Sequence, residues 1–277
     1  DDAVSGGWSA VKLFVGAFLF AAGGLYIVFA YSILLPFASG DDLPLFRSFD
    51  HSICADNPRF VFFENSSQGL AAWASCLLAQ RVYQTIDLSF ARLLTTIFLA
   101  AGAAGLTVAL HRLKLSRSVA FALAVAVFPL PGFLAQCLTS LDTPLSLGFV
   151  FALAAHGFAR KVSVADLRAR PLGLKPIFWG ILSLAALGVS ASFYPVGTMF
   201  FLVPTAAMLL FRNLDEWPDT RLELLRDGVL FLATVIAVLL LLPRLHFFAF
   251  PLADAGKLGV KALNLWNIYP TKFIATF

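Results

Sequence analysis

Charge is what this 277-residue sequence has least of: Asp, Glu, Lys and Arg make up 13% of it, against 60% hydrophobic residues and a mean hydropathy of +0.85. A soluble domain carries about 25% charged residues, so a water-dissolved enzyme or binding module is excluded and a polytopic membrane protein is expected. Methionine is scarce, two residues against twenty-nine Phe, which is a lipid-facing bias without chemical content. The three cysteines, Cys54, Cys76 and Cys137, form no CxxC and offer no metal-ligand spacing. Cys54 and Cys76 could pair in an oxidising compartment, or be inert buried thiols. A basic patch is lacking too: the net charge of +4 is dispersed over short loops, which excludes nucleic acid as a partner. No cleavable signal peptide is read, because the first apolar run is too long for one and no small-residue cleavage site follows it. The chain begins with Asp rather than Met, so residues are expected to precede it.

Long uncharged runs are what the sequence does have. None of the residues from Leu13 to Gly40 is charged, enough helix to cross about 30 Å of hydrocarbon. The fold class expected is all-α, a single transmembrane bundle of about seven spans at 11–36, 93–110, 118–136, 145–159, 176–193, 196–211 and 228–243. Pro129 and Pro131 end the third span, and Tyr194-Pro195-Val-Gly197 makes the hairpin between the fifth and sixth. Residues 37–92 form a long polar loop. Within it 68–84 reads as an amphipathic helix on the membrane surface, with Leu70, Trp73, Leu77 and Leu78 opposite Gln80, Arg81 and Gln84. Asn65-Ser-Ser matches a glycosylation sequon by chance. Arg212 to Asp227 reads as a mixed-charge loop. The tail 244–277 stops in an amphipathic stretch that nothing terminates, so further spans are expected beyond Phe277.

Loop charge sets the orientation. With a cytoplasmic N-terminus, twelve of the twenty Lys and Arg fall on the cytoplasmic side, and the short outer loops carry none. The 37–92 loop, with its Asp41-Asp42 pair, is then outside. So are Arg47, Asp142, Tyr194, Arg244 and His246.

Ionisable residues at a membrane border are functional candidates, and each has a plainer reading. Asp41 or Asp42 can cap a helix starting at Leu43-Pro44, and Asp142 can cap the fourth span. Tyr194 can belong to the interfacial aromatic belt, and Arg244 and His246 can snorkel.

The order of features resembles the opening module of the GT-C glycosyltransferases, and within them the GtrII-type O-antigen glucosyltransferases. Ser39-Gly-Asp-Asp-Leu43 follows the first span, Leu138-Thr-Ser-Leu-Asp-Thr-Pro-Leu-Ser146 enters the fourth, and Ser192-Phe-Tyr-Pro195 joins the fifth and sixth. The family has an acidic pair, an Asp before a hydrophobic helix and a Tyr-Gln in these places; here Pro195 stands for the Gln. The resemblance covers roughly residues 10–245.

It implies an inverting transfer of a sugar from a polyprenyl-phosphate donor to a glycan acceptor at the outer face of a bacterial inner membrane, in building cell-envelope lipopolysaccharide. Asp42 or Asp41 would be the general base and Asp142 a second carboxylate orienting sugar or acceptor. Arg47, Arg81, Arg92 and Arg244 are candidates to hold the lipid phosphate, since a guanidinium matches its oxygens; Tyr194 and His246 would complete the substrate site. No cofactor is expected, although paired carboxylates could take a divalent cation. Two readings compete. A non-catalytic subunit of a larger membrane assembly would use the small-residue stretch Ala100-Ala-Gly-Ala-Ala-Gly105 for helix contacts. A transporter would carry charges inside its spans, and almost none are read there.

Overall fold

The computed structural model describes residues 2–35, 69–79, 85–129, 143–163, 173–212 and 217–240, with the single residues 133, 166, 168 and 215. Contacts separate residues 1–247 from 248–277, and the second unit lies outside the described residues.

The chain is helical, with no strand among the described residues. Its helices are α1 (Asp2–Val28), α2 (Ala30–Leu34), α3 (Gly69–Ala79), α4 (Thr85–His111), α5 (Arg117–Ala126), α6 (Thr143–Ala159), α7 (Leu174–Phe193), a 3-10 helix (Pro195–Phe201), α8 (Leu202–Phe211) and α9 (Trp217–Leu240). Three stretches are long and apolar enough to cross a membrane: Ala10–Val28, Leu88–His111 and Leu174–Phe193. Arg117–Ala126, Thr143–Ala159 and Pro195–Phe211 are apolar but shorter.

Helix α6 is the axis of the bundle, packed against α4, α7, the 3-10 helix and α3. Hydroxyl groups set its register. Ser183 and Ser190 of α7 donate to the carbonyls of Ala155 and Gly148, at 2.9 and 2.7 Å, so the two helices run antiparallel. Each hydroxyl finds a carbonyl acceptor in an apolar interior, where an unpaired one would be costly. Helix α4 runs parallel to α6. A Cβ at Gly105 would lie 3.6 Å from Leu153, and one at Gly102 would lie 3.3 Å from the Phe128 ring. The small-residue stretch 100–105 is therefore filled by the chain's own helices.

Helix α1 meets this core along one narrow ridge. Ala17, Ala21, Leu25 and Phe29 are buried at intervals of four, while Val15, Leu19, Phe20 and Ile27 face outward. At Phe29 the backbone leaves the helical region (φ −97°, ψ 10°), yet Phe29 N still donates to Leu25 O, so α2 continues α1 with a slight change of direction.

Two helix starts differ from the sequence reading, and a third helix shows how it docks. Helix α4 starts at Thr85, eight residues before the expected span, so Arg92 sits inside a helix. Helix α3 buries Ala71, Ala72 and Ser75, with Ala71 and Ala72 packed beside Leu145 and Phe193, so small residues dock it on the bundle; the side chains of Trp73, Leu77 and Leu78, read as part of its apolar face, lie outside those described. Helix α9 starts at Trp217, where a mixed-charge loop was expected. Pro218 in the first turn and Asp219 near the positive end of the helix dipole favour a helix start there.

Candidate functional site

Of the site residues read from the sequence, Arg92 and Tyr194 are described; Asp41, Asp42, Arg47, Arg81, Asp142, Arg244 and His246 lie outside the described residues. The surroundings of those two, and of Thr143 directly after Asp142, define one end of the bundle.

Arg92 is completely buried, two turns into α4. Its Nη1 donates to the carbonyl of Ser32, 3.2 Å away near the end of α2, and the Ser32 hydroxyl in turn donates to Phe29 O at 2.8 Å. Part of the guanidinium expected to meet a lipid phosphate is thus committed to the backbone of the first span. On either side of Arg92 along α4, Ala91 and Thr95 hold the start of α6. The Thr143 hydroxyl donates to Ala91 O at 3.0 Å and accepts from the Thr95 hydroxyl at 2.9 Å. Ser146 then donates to Thr143 O at 2.6 Å. Thr143, Pro144, Leu145 and Ser146 are all buried, so the chain is fixed from the residue after Asp142 onward.

Tyr194 is an elbow. Its backbone is extended (φ −155°, ψ 100°), ending α7 and leading Pro195 into the 3-10 helix. Two glycines make room for it. A Cβ at Gly148 would lie 3.0 Å from Tyr194 Cβ, and one at Gly197 would lie 3.1 Å from Tyr194 Cδ1. Its ring meets Phe149 edge-on at 5.6 Å, and Phe149 continues to Phe200 at 4.6 Å and Phe133 at 5.0 Å. Tyr194 is therefore wedged into α6, one and a half turns from Thr143.

At the opposite end of α6 lies a charged cluster that the sequence reading missed. The Arg160 Nη1 pairs with Glu223 at 2.5 Å, its Nη2 with Asp227 at 3.4 Å, and its Nε donates to His156 Nε2 at 3.3 Å. Arg212 pairs with the same Glu223 oxygen at 2.6 Å. Asp227 is wholly buried; it accepts from Arg226 at 2.7 Å and from the Thr205 hydroxyl at 2.9 Å. Arg226 reaches on to Val162 O at 3.1 Å. Because His156 Nε2 accepts, the imidazole proton is assigned to Nδ1 and the ring is neutral. A signal was present in the sequence: Thr220, Asp227 and Thr234 recur every seven residues, a single helix seam.

Beyond the cluster, the 160–175 connection is tied at its surface. Asp166 accepts from Lys175 Nζ at 2.8 Å and from the Ser163 hydroxyl and amide at 2.7 and 3.1 Å. The Lys175 hydrogen bond first, then those of Ser163, hold its carboxyl down to about 2. Among the described residues no group of His, Cys, Asp and Glu is arranged to hold a metal ion. No family model matches this chain, and no curated protein or solved structure is significantly similar to it.

Proposed function

We propose that the chain is an integral-membrane glycosyltransferase that moves a sugar from a polyprenyl-phosphate donor to a glycan acceptor, at the bundle end that carries Arg92 and Tyr194. One observation carries the reading. The residue after Asp142 is bonded to Ala91 and Thr95, and Arg92 lies between them in α4, fully buried. That arrangement holds the residue next to Asp142 and a guanidinium-bearing turn at one border of an apolar bundle, and it supports the reading because ionisable groups are otherwise costly there.

In this reading Asp41 or Asp42 takes the proton of the acceptor hydroxyl as its oxygen attacks the anomeric carbon. The bond from that carbon to the phosphate oxygen breaks, the lipid phosphate leaves with the electron pair, and the anomeric centre inverts. Asp142 orients sugar or acceptor, while Arg47, Arg81 and Arg244 hold the phosphate. The chain crosses a bacterial inner membrane seven times with its N-terminus in the cytoplasm, which puts Asp41, Asp42 and Asp142 outside.

The test is sugar transfer in membranes containing Asp41→Asn, Asp42→Asn or Asp142→Asn chains at matched expression. Loss of transfer is expected for Asp142→Asn and for at least one of the pair. Full transfer with both Asp41→Asn and Asp42→Asn would remove the catalytic reading.

A further inference from the structure

Helix α9 is fastened to the bundle by polar side chains. Its buried residues, among those described, are Thr220, Asp227 and Thr234. Their seven-residue spacing puts them on one seam. Leu224, Leu230 and Phe231 are only partly buried against the core, and Leu225, Val229, Leu232 and Ile236 face outward. Between helices in lipid the hydrophobic drive is absent, so packing and polar contacts decide whether a helix stays docked.

The length of α9 gives these contacts a second task. Its uncharged run, Gly228 to Leu240, is thirteen residues. As helix that is about 20 Å, short of the roughly 30 Å hydrocarbon core. To complete a crossing, the helix has to draw in the turns that hold Glu223 and Asp227. A carboxylate at that depth is costly unless it is met by an opposite charge.

Other elements supply the opposite charges. Arg160, one residue beyond α6, uses Nη1 on Glu223 and Nη2 on Asp227, tying two successive turns of α9 to the central helix. Arg212, one residue beyond α8, meets Glu223, and Thr205 of α8 donates to Asp227. Within α9 Arg226 shields the other Asp227 oxygen and anchors on Val162 O. The side chains of Arg160, Glu223, Asp227 and Arg226 are between 0% and 13% exposed, so water screens the cluster little.

We propose that α9 is a conditional span. It takes its depth in the membrane when Arg160 and Arg212 receive Glu223 and Asp227, and this ion-pair cluster is the latch that seats it. The proposal stands on the membrane placement of the bundle and not on the sugar-transfer reading.

The test uses the full chain in membranes, with Cys54, Cys76 and Cys137 changed to Ser and a reporter cysteine at the buried seam (Thr234→Cys). A water-soluble maleimide is the probe. With the latch intact the reporter is protected; Arg160→Glu, which sets like charges against Glu223 and Asp227, is expected to abolish that protection. Adding Glu223→Gln and Asp227→Asn to Arg160→Glu leaves two arginines against one carboxylate, the same single net positive charge as three against two, and is expected to restore it. Protection that survives Arg160→Glu overturns the latch, as does a triple variant no better protected than Arg160→Glu. If Arg160→Glu fails to accumulate, recovery of the triple variant supports the proposal, and its equal loss overturns it. Release of the unaltered chain from membranes by alkaline carbonate would refute the membrane placement, and this proposal with it.

Discussion

The hydroxyl of Thr143 donates to the carbonyl of Ala91, 52 residues earlier in the chain, across 3.0 Å of buried interface. This bond fixes the start of α6 on α4 beside Arg92, and the position of Asp142 is one residue away. Thr143→Val keeps the shape, removes the donor, and leaves the Thr95 hydroxyl without its acceptor on α6. A loss of about 1–3 kcal/mol is expected, read by thermal unfolding in detergent. Under the proposed function sugar transfer falls as well; transfer unchanged in a destabilised variant would separate Thr143 from the chemistry.

The elbow at Tyr194 predicts a contrast among glycines. Gly148→Ala sets a methyl 3.0 Å from Tyr194 Cβ and 3.3 Å from Ser190 O, in a region without slack. Overpacking of this kind costs about 1–3 kcal/mol. At Gly16 and Gly23 of α1 an added Cβ meets nothing within 4 Å. Alanine at either is expected to leave the melting temperature unchanged or slightly raised, and equal effects at all three would contradict the packing described for α6.

Buried and surface ion pairs should separate cleanly. Asp227→Ala removes the partner of Arg226 and of Arg160 in an unexposed site, and a loss of about 3–5 kcal/mol is expected for breaking such a buried pair. Asp219→Ala removes a pair with Arg168 whose side chains are 52% and 56% exposed, and about 0–1 kcal/mol is expected. Denaturation of both variants in one detergent checks the ranking.

Asp166 predicts a pH dependence. Its folded carboxyl titrates near 2, below the unfolded value of about 3.9. The depressed value means that its stabilisation is fully present above the unfolded value and fades as pH falls through the folded one. A carboxyl-carbon titration by NMR should give Asp166 a midpoint near 2, and Lys175→Met should move that midpoint upward. A midpoint at the ordinary value would remove the Lys175 contact from solution.

Lys114 turns the chain between α4 and α5 with φ 68°, the one positive φ of a non-glycine among the described residues. Backbone held there costs about 1–3 kcal/mol. Lys114→Gly is therefore expected to be neutral or stabilising and Lys114→Val destabilising, by thermal unfolding.

Much of the bundle was legible because periodicity and charge answer different questions. The uncharged runs marked the cores of α1, α4, α6 and α7, and Pro195 after Tyr194 marked a break in helix. Charge misled at α9 and at the start of α4, because Asp227 and Arg92 read as water-facing when each is buried against partners from distant segments. Partners 60 or 67 residues away leave no mark in a local window. The seven-residue recurrence of Thr220, Asp227 and Thr234 was the one local sign of that burial, and hydropathy weighs those residues only as polar. At the candidate site, Tyr194 and Arg92 were singled out by residue type, while the hydroxyl pair Thr95 and Thr143 was passed over because threonine is unremarkable in a span.

The 3-10 helix after Tyr194 has a geometric consequence for reach. Seven residues rising about 2.0 Å each cover about 14 Å, and the ten of α8 at about 1.5 Å add about 15 Å. Pro195–Phe211 therefore extends about 29 Å with seventeen residues, where α-helix throughout would reach about 26 Å. Winding its first half more tightly about the axis gives the segment a reach that its residue number alone would not.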